Sequence, residues 1–217
     1  MKPKRVISKL SNQGFTISEL LVAMAISGIV MATLYSTYHS QQRSYTTQEQ
    51  VVDMQQNLRS AFYFIERDIR KAGCNPTGNA YVGIQIADPA TIRVTTDITD
   101  ASGTGDPDGY TTGPDEDVTY YLNSGNLVRN SDTAIIAENI EVLNFVYLTE
   151  SGTTTLTSTS IRSVQITMVA RTGKWEQGYM DTKAYYNGQG QEILSAQNDN
   201  YHRKRLTTQV QCRNFNF

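Results

Sequence analysis

An uncharged run of membrane length near the start of the chain constrains its fold more than any other feature. Residues 15–35 contain a single charged side chain, the carboxylate of Glu19. A helix rises about 1.5 Å per residue, so this run spans roughly 30 Å, the thickness of the apolar core of a bilayer. Four basic residues and no acid precede it: Lys2, Lys4, Arg5 and Lys9. The sequence therefore predicts a single membrane span whose amino-terminal flank stays in the cytoplasm.

Simpler interpretations of this segment are an ordinary signal anchor and a cleaved secretory signal. The secretory signal is the less favourable of the two, because its apolar region is shorter and ends at a small-residue cleavage site. For Glu19, one alternative is that the side chain snorkels to the cytoplasmic headgroups. A carboxylate in hydrocarbon is unfavourable, so we favour the hypothesis that Glu19 has a specific partner.

The order of residues around this acid is specific: a basic leader, Gly14, Phe15, Thr16, two further residues, Glu19 and then the apolar run. This order resembles the class III signal of type IV pilins and type II secretion pseudopilins. The resemblance implies that a prepilin peptidase cuts after Gly14 on the cytoplasmic side. It also implies that the new amino terminus, Phe15, is N-methylated and that Glu19 is the residue of subunit assembly.

The chemistry of a cut chain is compatible with that role. Phe15 would carry a free amine, and Glu19 lies one helical turn further along. The amine of an incoming subunit can pair with Glu19 of a subunit already in place, and head-to-tail contacts of this kind generate open helical filaments.

Four segments follow from these patterns. They are a leader peptide at 1–14, a transmembrane and assembly helix at 15–38, an amphipathic helix half at 39–73 and a β-rich globular domain at 74–217. No proline lies between Pro3 and Pro76, which favours one continuous helix to about residue 72. Its second half carries an apolar stripe at helical spacing: Val51, Leu58, Phe62, Ile65 and Ile69.

Short runs rich in β-branched and aromatic residues follow residue 76, separated by turn signals. The predicted strands are 91–96, 118–122, 127–129, 135–136, 140–148, 161–170 and 206–212, with a hairpin turn at 123–126 and with 140–148 apolar enough for a central strand. The predicted fold class is α+β, with a long amino-terminal helix packed through its amphipathic half on an antiparallel sheet. This plan is similar to that of pilins, and the resemblance implies a lollipop shape, with the long helix as the stick and the β-rich domain as the head.

The stretch 66–74 reads E-x-D-I-R-x-A-G-C, which resembles the same region of PilW-type minor pilins. The strand at 161–171 and the large domain are also similar to theirs. The resemblance implies a minor pilin that initiates and caps type IV pilus assembly. Its partners would be the prepilin peptidase, other minor pilins, the major pilin, the inner-membrane assembly platform and, before assembly, membrane lipid. The chain would cross the inner membrane once, with its carboxyl-terminal domain in the periplasm, and then enter a filament at the cell surface.

Two other functions remain open at this point. One is a minor pseudopilin at the tip of a type II secretion pseudopilus, since pseudopilin J has a similar plan. The other is a membrane-tethered adhesin or DNA-uptake module. No nucleophile motif, phosphate loop or catalytic triad signature is present in the sequence, so we expect no enzymatic activity.

The only two cysteines, Cys74 and Cys212, follow the membrane run. In an exported domain a disulfide between them is expected, and two free thiols are the alternative. Removing 1–14 takes away four of the 19 basic residues and none of the 21 acidic ones, which leaves a formal net charge of −6. This excess of acid argues against nucleic acid as a main partner.

Seven carboxylates lie between residues 97 and 117, at Asp97, Asp100, Asp106, Asp108, Asp115, Glu116 and Asp117. Calcium takes hard oxygen ligands from flexible loops, but the spacing does not fit an EF-hand. We favour a solvated loop and expect no cofactor, with calcium as the alternative. The basic run 202–205 is interpreted as a solvated turn before the last strand, with a contact to an acidic neighbouring subunit or to DNA as the alternative.

Overall fold

A computed structural model of the chain describes residues 14–214. Its long helix, α1, runs without a break over Ile17–Lys71, as predicted, and begins two residues after Phe15. The strands that follow are β1 Gly83–Ala87, β2 Ile92–Thr95, β3 Asp117–Asn123, β4 Asn126–Arg129, β5 Ser131–Ala137, β6 Ile140–Leu148, β7 Ser163–Arg171, β8 Tyr185–Tyr186, β9 Glu192–Leu194 and β10 Arg203–Gln211. The predicted α+β class, with one long helix packed on antiparallel sheets, is confirmed.

The chain divides into two compact units, and the boundary lies between Thr46 and Thr47. In the first unit every described residue, from 14 to 46, is exposed. The hydroxyl of Thr33 donates to the carbonyl oxygen of Ile29 at 2.9 Å, and that of Thr37 donates to Thr33 at 2.9 Å. These bonds satisfy polar groups that lipid could not.

In the second unit, the amphipathic half of α1 packs on the sheets through the predicted stripe. Leu58, Phe62, Ile65 and Ile69 are buried in the core, and Val51 is partly buried against it. On the polar side of the helix, the guanidinium of Arg70 donates to the carboxylate of Glu66 at 2.9 Å, as the spacing of four predicts. Burial of this stripe is the main hydrophobic stabilisation of the helix half.

Within residues 14–214, three antiparallel sheets replace the single sheet of the prediction. The five-stranded sheet has the order β1-β2-β3-β4-β5, the three-stranded sheet the order β10-β7-β6, and β8 pairs with β9. The prediction that 140–148 is a central strand was wrong, because β7 lies between β10 and β6. Seven of the nine residues of β7 are buried, whereas burial along β6 is interrupted.

The predicted hairpin at 123–126 is confirmed. β3 and β4 pair through Asn123 and Asn126, so the loop between them has two residues. Both loop residues have positive φ, 51° at Ser124 and 79° at Gly125. Two positive φ angles in sequence give the primed turn whose twist matches that of the flanking strands.

The carboxyl-terminal end of α1 is capped from two directions. Gly73 has a φ of 81°, the left-handed conformation common after a helix, and its N–H donates to the carbonyl oxygen of Thr95 at 3.1 Å. The side-chain amide of Asn214 lies 3.2 Å from the carbonyl oxygen of Lys71. The Asn214 amide pairs a carbonyl oxygen that the helix end leaves without an intrahelical partner, and the two contacts tie the helix to β2 and to residue 214.

Candidate assembly site

The residues predicted to be processed and to assemble lie at the first turn of α1. Gly14, Phe15 and Thr16 precede the helix, whose first residue is Ile17. The side chain of Phe15 is 90% exposed. Glu19 is the third residue of the helix and its only acid in the first turn.

Thr16 and Glu19 cap the helix reciprocally. The hydroxyl oxygen of Thr16 accepts a hydrogen bond from the N–H of Glu19 at 3.3 Å. In return, carboxylate oxygen Oε2 of Glu19 accepts hydrogen bonds from the N–H and the hydroxyl of Thr16, both at 2.8 Å. This is a capping box, the pattern Thr-x-x-Glu at a helix start. The sequence itself contains that signal, because Thr16 and Glu19 are three residues apart.

The capping box fixes the position of the carboxylate that the assembly hypothesis needs. It holds Glu19 at the positive end of the helix dipole, beside the peptide that joins Phe15 to Thr16. The second oxygen, Oε1, accepts no hydrogen bond from any residue in the range 14–214. That oxygen can therefore accept a donor from another molecule without disrupting the cap.

The helix that follows is apolar on all sides. Its exposed large side chains up to residue 35 are Ile17, Leu20, Leu21, Val22, Met24, Ile26, Ile29, Val30, Met31, Leu34 and Tyr35. Within residues 14–214, α1 is the one helix that is long and apolar enough to cross a membrane. A continuous apolar surface of this extent needs a lipid or protein environment.

A known sequence motif covers this same region. Residues 9–35 match the family model of the prokaryotic N-terminal methylation motif. The chain carries this motif. The class III signal predicted from the sequence is thereby confirmed, and the match does not extend into the β-rich part of the chain.

Two further comparisons address the whole chain. Among solved structures, the chain is similar to the type IV-like pilin TTHA1219 from Thermus thermophilus, at 13% identity and a TM-score of 0.46. The similarity covers 74% of this chain and 95% of that one. No curated protein matches the chain significantly.

Both cysteines are free thiols in the structure. Burial raises the pKa of Cys212 to about 12. Cys74 is partly exposed and lines a surface groove together with Asn214, whereas Cys212 lines a different groove beside Arg162. The disulfide between them stays a prediction.

The acidic segment 97–117 is more ordered than the solvated loop that we favoured. Asp97 and Glu116 are fully buried. The carboxylate of Glu116 accepts backbone hydrogen bonds from Ile98 at 2.7 Å, from Thr99 at 2.8 Å and from Gly113 at 2.7 Å. These bonds close the loop on itself, so Glu116 has a structural role.

The surface carboxylate of Asp100 organises the same loop. It accepts hydrogen bonds from the hydroxyl of Ser102, from the N–H of Gly105 and from other donors nearby, which together lower the pKa of Asp100 to about 2. Within residues 14–214, no three His, Cys, Asp or Glu side chains lie close enough to hold a metal ion. Calcium binding stays a prediction.

Asp68, the second acid of the 66–74 stretch, is a buried carboxylate with a structural role. Asp68 points into the core, where its carboxylate accepts hydrogen bonds from the hydroxyl of Tyr120 at 2.7 Å and from the guanidinium of Arg129 at 3.2 Å. Arg129 also pairs with Asp115 at 2.6 Å. Asp68 thus connects α1 to β3, β4 and the acidic loop. Its position beside Ile69 on the apolar stripe is the sequence signal for this role.

The basic run 202–205 was interpreted wrongly as a solvated turn. Arg203 is the first residue of β10, and its side chain is only 1% exposed. Its guanidinium pairs with the carboxylates of Glu141, Asp199 and Asp181. Burial of an arginine requires such partners. Glu141 is distant in sequence, and Asp181 and Asp199 lie outside the named strands, so the local sequence did not reveal them.

Proposed function

We propose that this chain is a PilW-type minor pilin that takes part in initiating and capping a type IV pilus. A prepilin peptidase cuts it between Gly14 and Phe15, and Phe15 is then N-methylated. The chain sits in the inner membrane as a single span, with its amino terminus in the cytoplasm and its β-rich domain in the periplasm. From there it joins other minor pilins and the major pilin at the inner-membrane assembly platform.

One observation carries this proposal. Glu19 is held by a capping box at the start of a helix that is otherwise uncharged through residue 35 and is exposed over that length. A simple anchor needs no acid there, and lipid does not stabilise one. The methylation motif over residues 9–35 supports the cleavage that would place a free amine beside this carboxylate.

The same helix serves two environments in this proposal. Before assembly, lipid covers its apolar side chains. In the filament, the apolar helices of neighbouring subunits replace the lipid, and Glu19 of one subunit pairs with the amine of Phe15 of the next. A contact between different surfaces of successive subunits produces an open filament.

The test separates the charge of Glu19 from its capping role. Glutamine at the third helical position still completes a capping box but carries no charge, so Glu19→Gln keeps the cap and removes the ion pair. Glu19→Ala removes both. Glu49→Ala, which removes an exposed acid elsewhere on α1, is the matched control.

Filaments are sheared from the native host and their peptides are measured by mass spectrometry. The unsubstituted chain and Glu49→Ala should give a peptide that begins at methylated Phe15, at low abundance beside a major pilin. Both Glu19 variants should be cut normally but should be absent from the filaments. Normal incorporation of Glu19→Gln would refute the charge-pairing role.

The same measurement separates the alternative functions. A processed chain found only in the membrane fraction would favour a secretion pseudopilus. An uncut chain that still begins near Met1 would overturn the proposed function. Retained function after substitution of Gly14 would favour a membrane-tethered binding module, because a tether needs no processing.

A further inference from the structure

The three-stranded sheet ends at an unusually regular edge strand. β10 pairs with β7 over nine consecutive residue pairs without a register shift. The other edge strands of the two larger sheets, β1, β5 and β6, each contain a register shift. Such irregularities are one way in which proteins prevent edge strands from pairing with other chains, and β10 lacks this protection.

The ends of the ladder show which backbone groups of β10 point away from β7. Thr172 donates its N–H to the carbonyl oxygen of His202, and Cys212 donates to that of Arg162, both at 2.9 Å. Hydrogen-bonded and non-hydrogen-bonded pairs alternate along an antiparallel ladder, so even-numbered residues of β10 bond to β7. The odd-numbered residues therefore direct their N–H and C=O groups outward: Arg203, Arg205, Thr207, Gln209 and Gln211.

This outer edge has no backbone partner among residues 14–214. The side chains around it are mostly exposed, including four consecutive ones at 204–207. The strand contains neither proline nor glycine. A long row of unpaired backbone groups of this kind is a template for an added strand.

The charges along β10 indicate the chemistry of that strand. Residues 203–211 contain no acid, and Arg203 is occupied by its buried carboxylates. The exposed cations are Lys204, which has no ion pair among the described residues, and Arg205, whose guanidinium donates to the carbonyl oxygen of Tyr186 at 2.8 Å. Opposite charges across paired strands stabilise the pair, and like charges destabilise it.

We propose that β10 is a docking edge for an extended strand of a neighbouring pilin subunit, with a carboxylate side chain placed beside Lys204. The added strand would bond to the outward backbone groups of the odd-numbered residues and would extend the three-stranded sheet. This inference rests on the proposed function, because it requires that the chain assembles with other subunits.

A second copy of β10 itself does not fit this edge. Residues 203–211 contain no acid, so a second β10 cannot place a carboxylate beside Lys204. It would bring its own cations to the edge instead, and like charges destabilise a strand pair. The partner strand is therefore a different strand of a neighbouring subunit.

Proline at Thr207 tests the edge while preserving the fold. The N–H of Thr207 points away from β7, so Thr207→Pro deletes an outward donor and leaves the internal ladder intact. Thr207→Ala is the matched control, since both substitutions remove the hydroxyl that contacts Thr167 at 3.1 Å. Gln209→Pro is a second variant with the same outward geometry, in case Thr207→Pro reduces the cellular level of the chain.

The full-length variants are expressed in the native host, and their amounts in sheared filaments and in membranes are measured by mass spectrometry. At equal membrane levels, Thr207→Pro or Gln209→Pro should reduce the filament-associated chain at least tenfold relative to Thr207→Ala. Lys204→Glu should also reduce it, and more than Lys204→Gln, because it places two acids side by side.

The outcomes separate this inference from the proposed function. If the unsubstituted chain is in filaments and the proline variants match Thr207→Ala, the docking edge is refuted while the proposed function stands. If Lys204→Glu is incorporated as well as Lys204→Gln, an acidic partner strand is refuted. If the unsubstituted chain is absent from filaments, the proposed function is overturned and the docking edge with it.

Discussion

Removal of the buried carboxylate of Asp68 should strongly destabilise the second unit. The side chain is 6% exposed and accepts hydrogen bonds from Tyr120, Arg129 and Arg67. Asp68→Ala leaves the fully buried hydroxyl of Tyr120 without its acceptor, which costs about 1–3 kcal/mol. It also leaves the guanidinium of Arg129, 16% exposed, with Asp115 as its remaining partner.

Loss of one partner of a buried ion pair typically costs about 3–5 kcal/mol. Because Arg129 keeps Asp115, we expect the lower end of that range for Asp68→Ala, about 3 kcal/mol. Asp68→Asn keeps an acceptor of the same size and should cost less, about 1–2 kcal/mol. For a chain of this length, a loss of about 3 kcal/mol lowers the melting temperature by roughly 6–12 °C.

The assay is urea and thermal unfolding of the full-length protein in detergent micelles, followed by the fluorescence of its single tryptophan, Trp175. Glu66→Ala, which removes an acid two residues away, is the control and should cost less than about 1 kcal/mol. Tyr120→Phe should be less harmful in the Asp68→Ala background than alone, by about 1 kcal/mol, since the orphaned hydroxyl is then absent. A loss below about 1 kcal/mol for Asp68→Ala, or equal effects of Tyr120→Phe in both backgrounds, would refute the reasoning.

Three further predictions concern single residues. In the reduced native protein at pH 8, the raised pKa of Cys212 lowers its thiolate fraction about a thousandfold. A maleimide should therefore label Cys74 before Cys212. If the protein shows no labelling of either cysteine before reduction, the disulfide is established. Hydrogen bonds from Arg203 hold the pKa of Asp199 below its usual range, so its stabilising contribution is complete above about pH 4 and is lost as the pH falls further. Asp199→Asn should therefore flatten the decrease of the melting temperature with falling acidic pH. Gly125→Ala should cost about 1 kcal/mol in urea unfolding, because φ is 79° there.

Local patterns predicted most of the elements of this fold. The helix to residue 72 followed from a missing proline and a regular stripe, and the β3–β4 hairpin followed from its turn residues. Strand order did not follow, since the positions of β6 and β7 depend on which strand is paired along both of its edges. β1 was not predicted, because it is only five residues long and begins with a glycine, which is a weak strand signal. Its pairing with β2 also contains a register shift, which the sequence does not show.

Long-range charge pairs were the second part that the sequence could not reveal. Arg203 looked like part of an exposed basic run, and its partner Glu141 is 62 residues away. Asp68 was visible as an acid on an apolar stripe, but its partners on β3 and β4 could not be named before the sheet was known. The capping box is different, because Thr16 and Glu19 are three residues apart and the signal was readable in the sequence.

The capping box also determines what cleavage at Gly14 can achieve. In the uncut chain, the carboxylate of Glu19 accepts a hydrogen bond from the N–H of Thr16 and lies at the positive end of the helix dipole. In the proposed function, cleavage would add the amine of Phe15 at the same end, so a full positive charge would appear beside a carboxylate that is already in place. A carboxylate has about four acceptor sites, so it can hold this amine and the cap together.

A free subunit in the membrane would then already contain an ion pair within its own first turn. Assembly would exchange this pair for one with a neighbouring subunit, so the charge interaction is conserved and desolvated groups stay paired throughout. The free energy of assembly would come mainly from the packing of the apolar helices, and Glu19 would determine their register. On this basis, Glu19→Gln should abolish incorporation without releasing the processed chain from the membrane, because its apolar surface is unchanged.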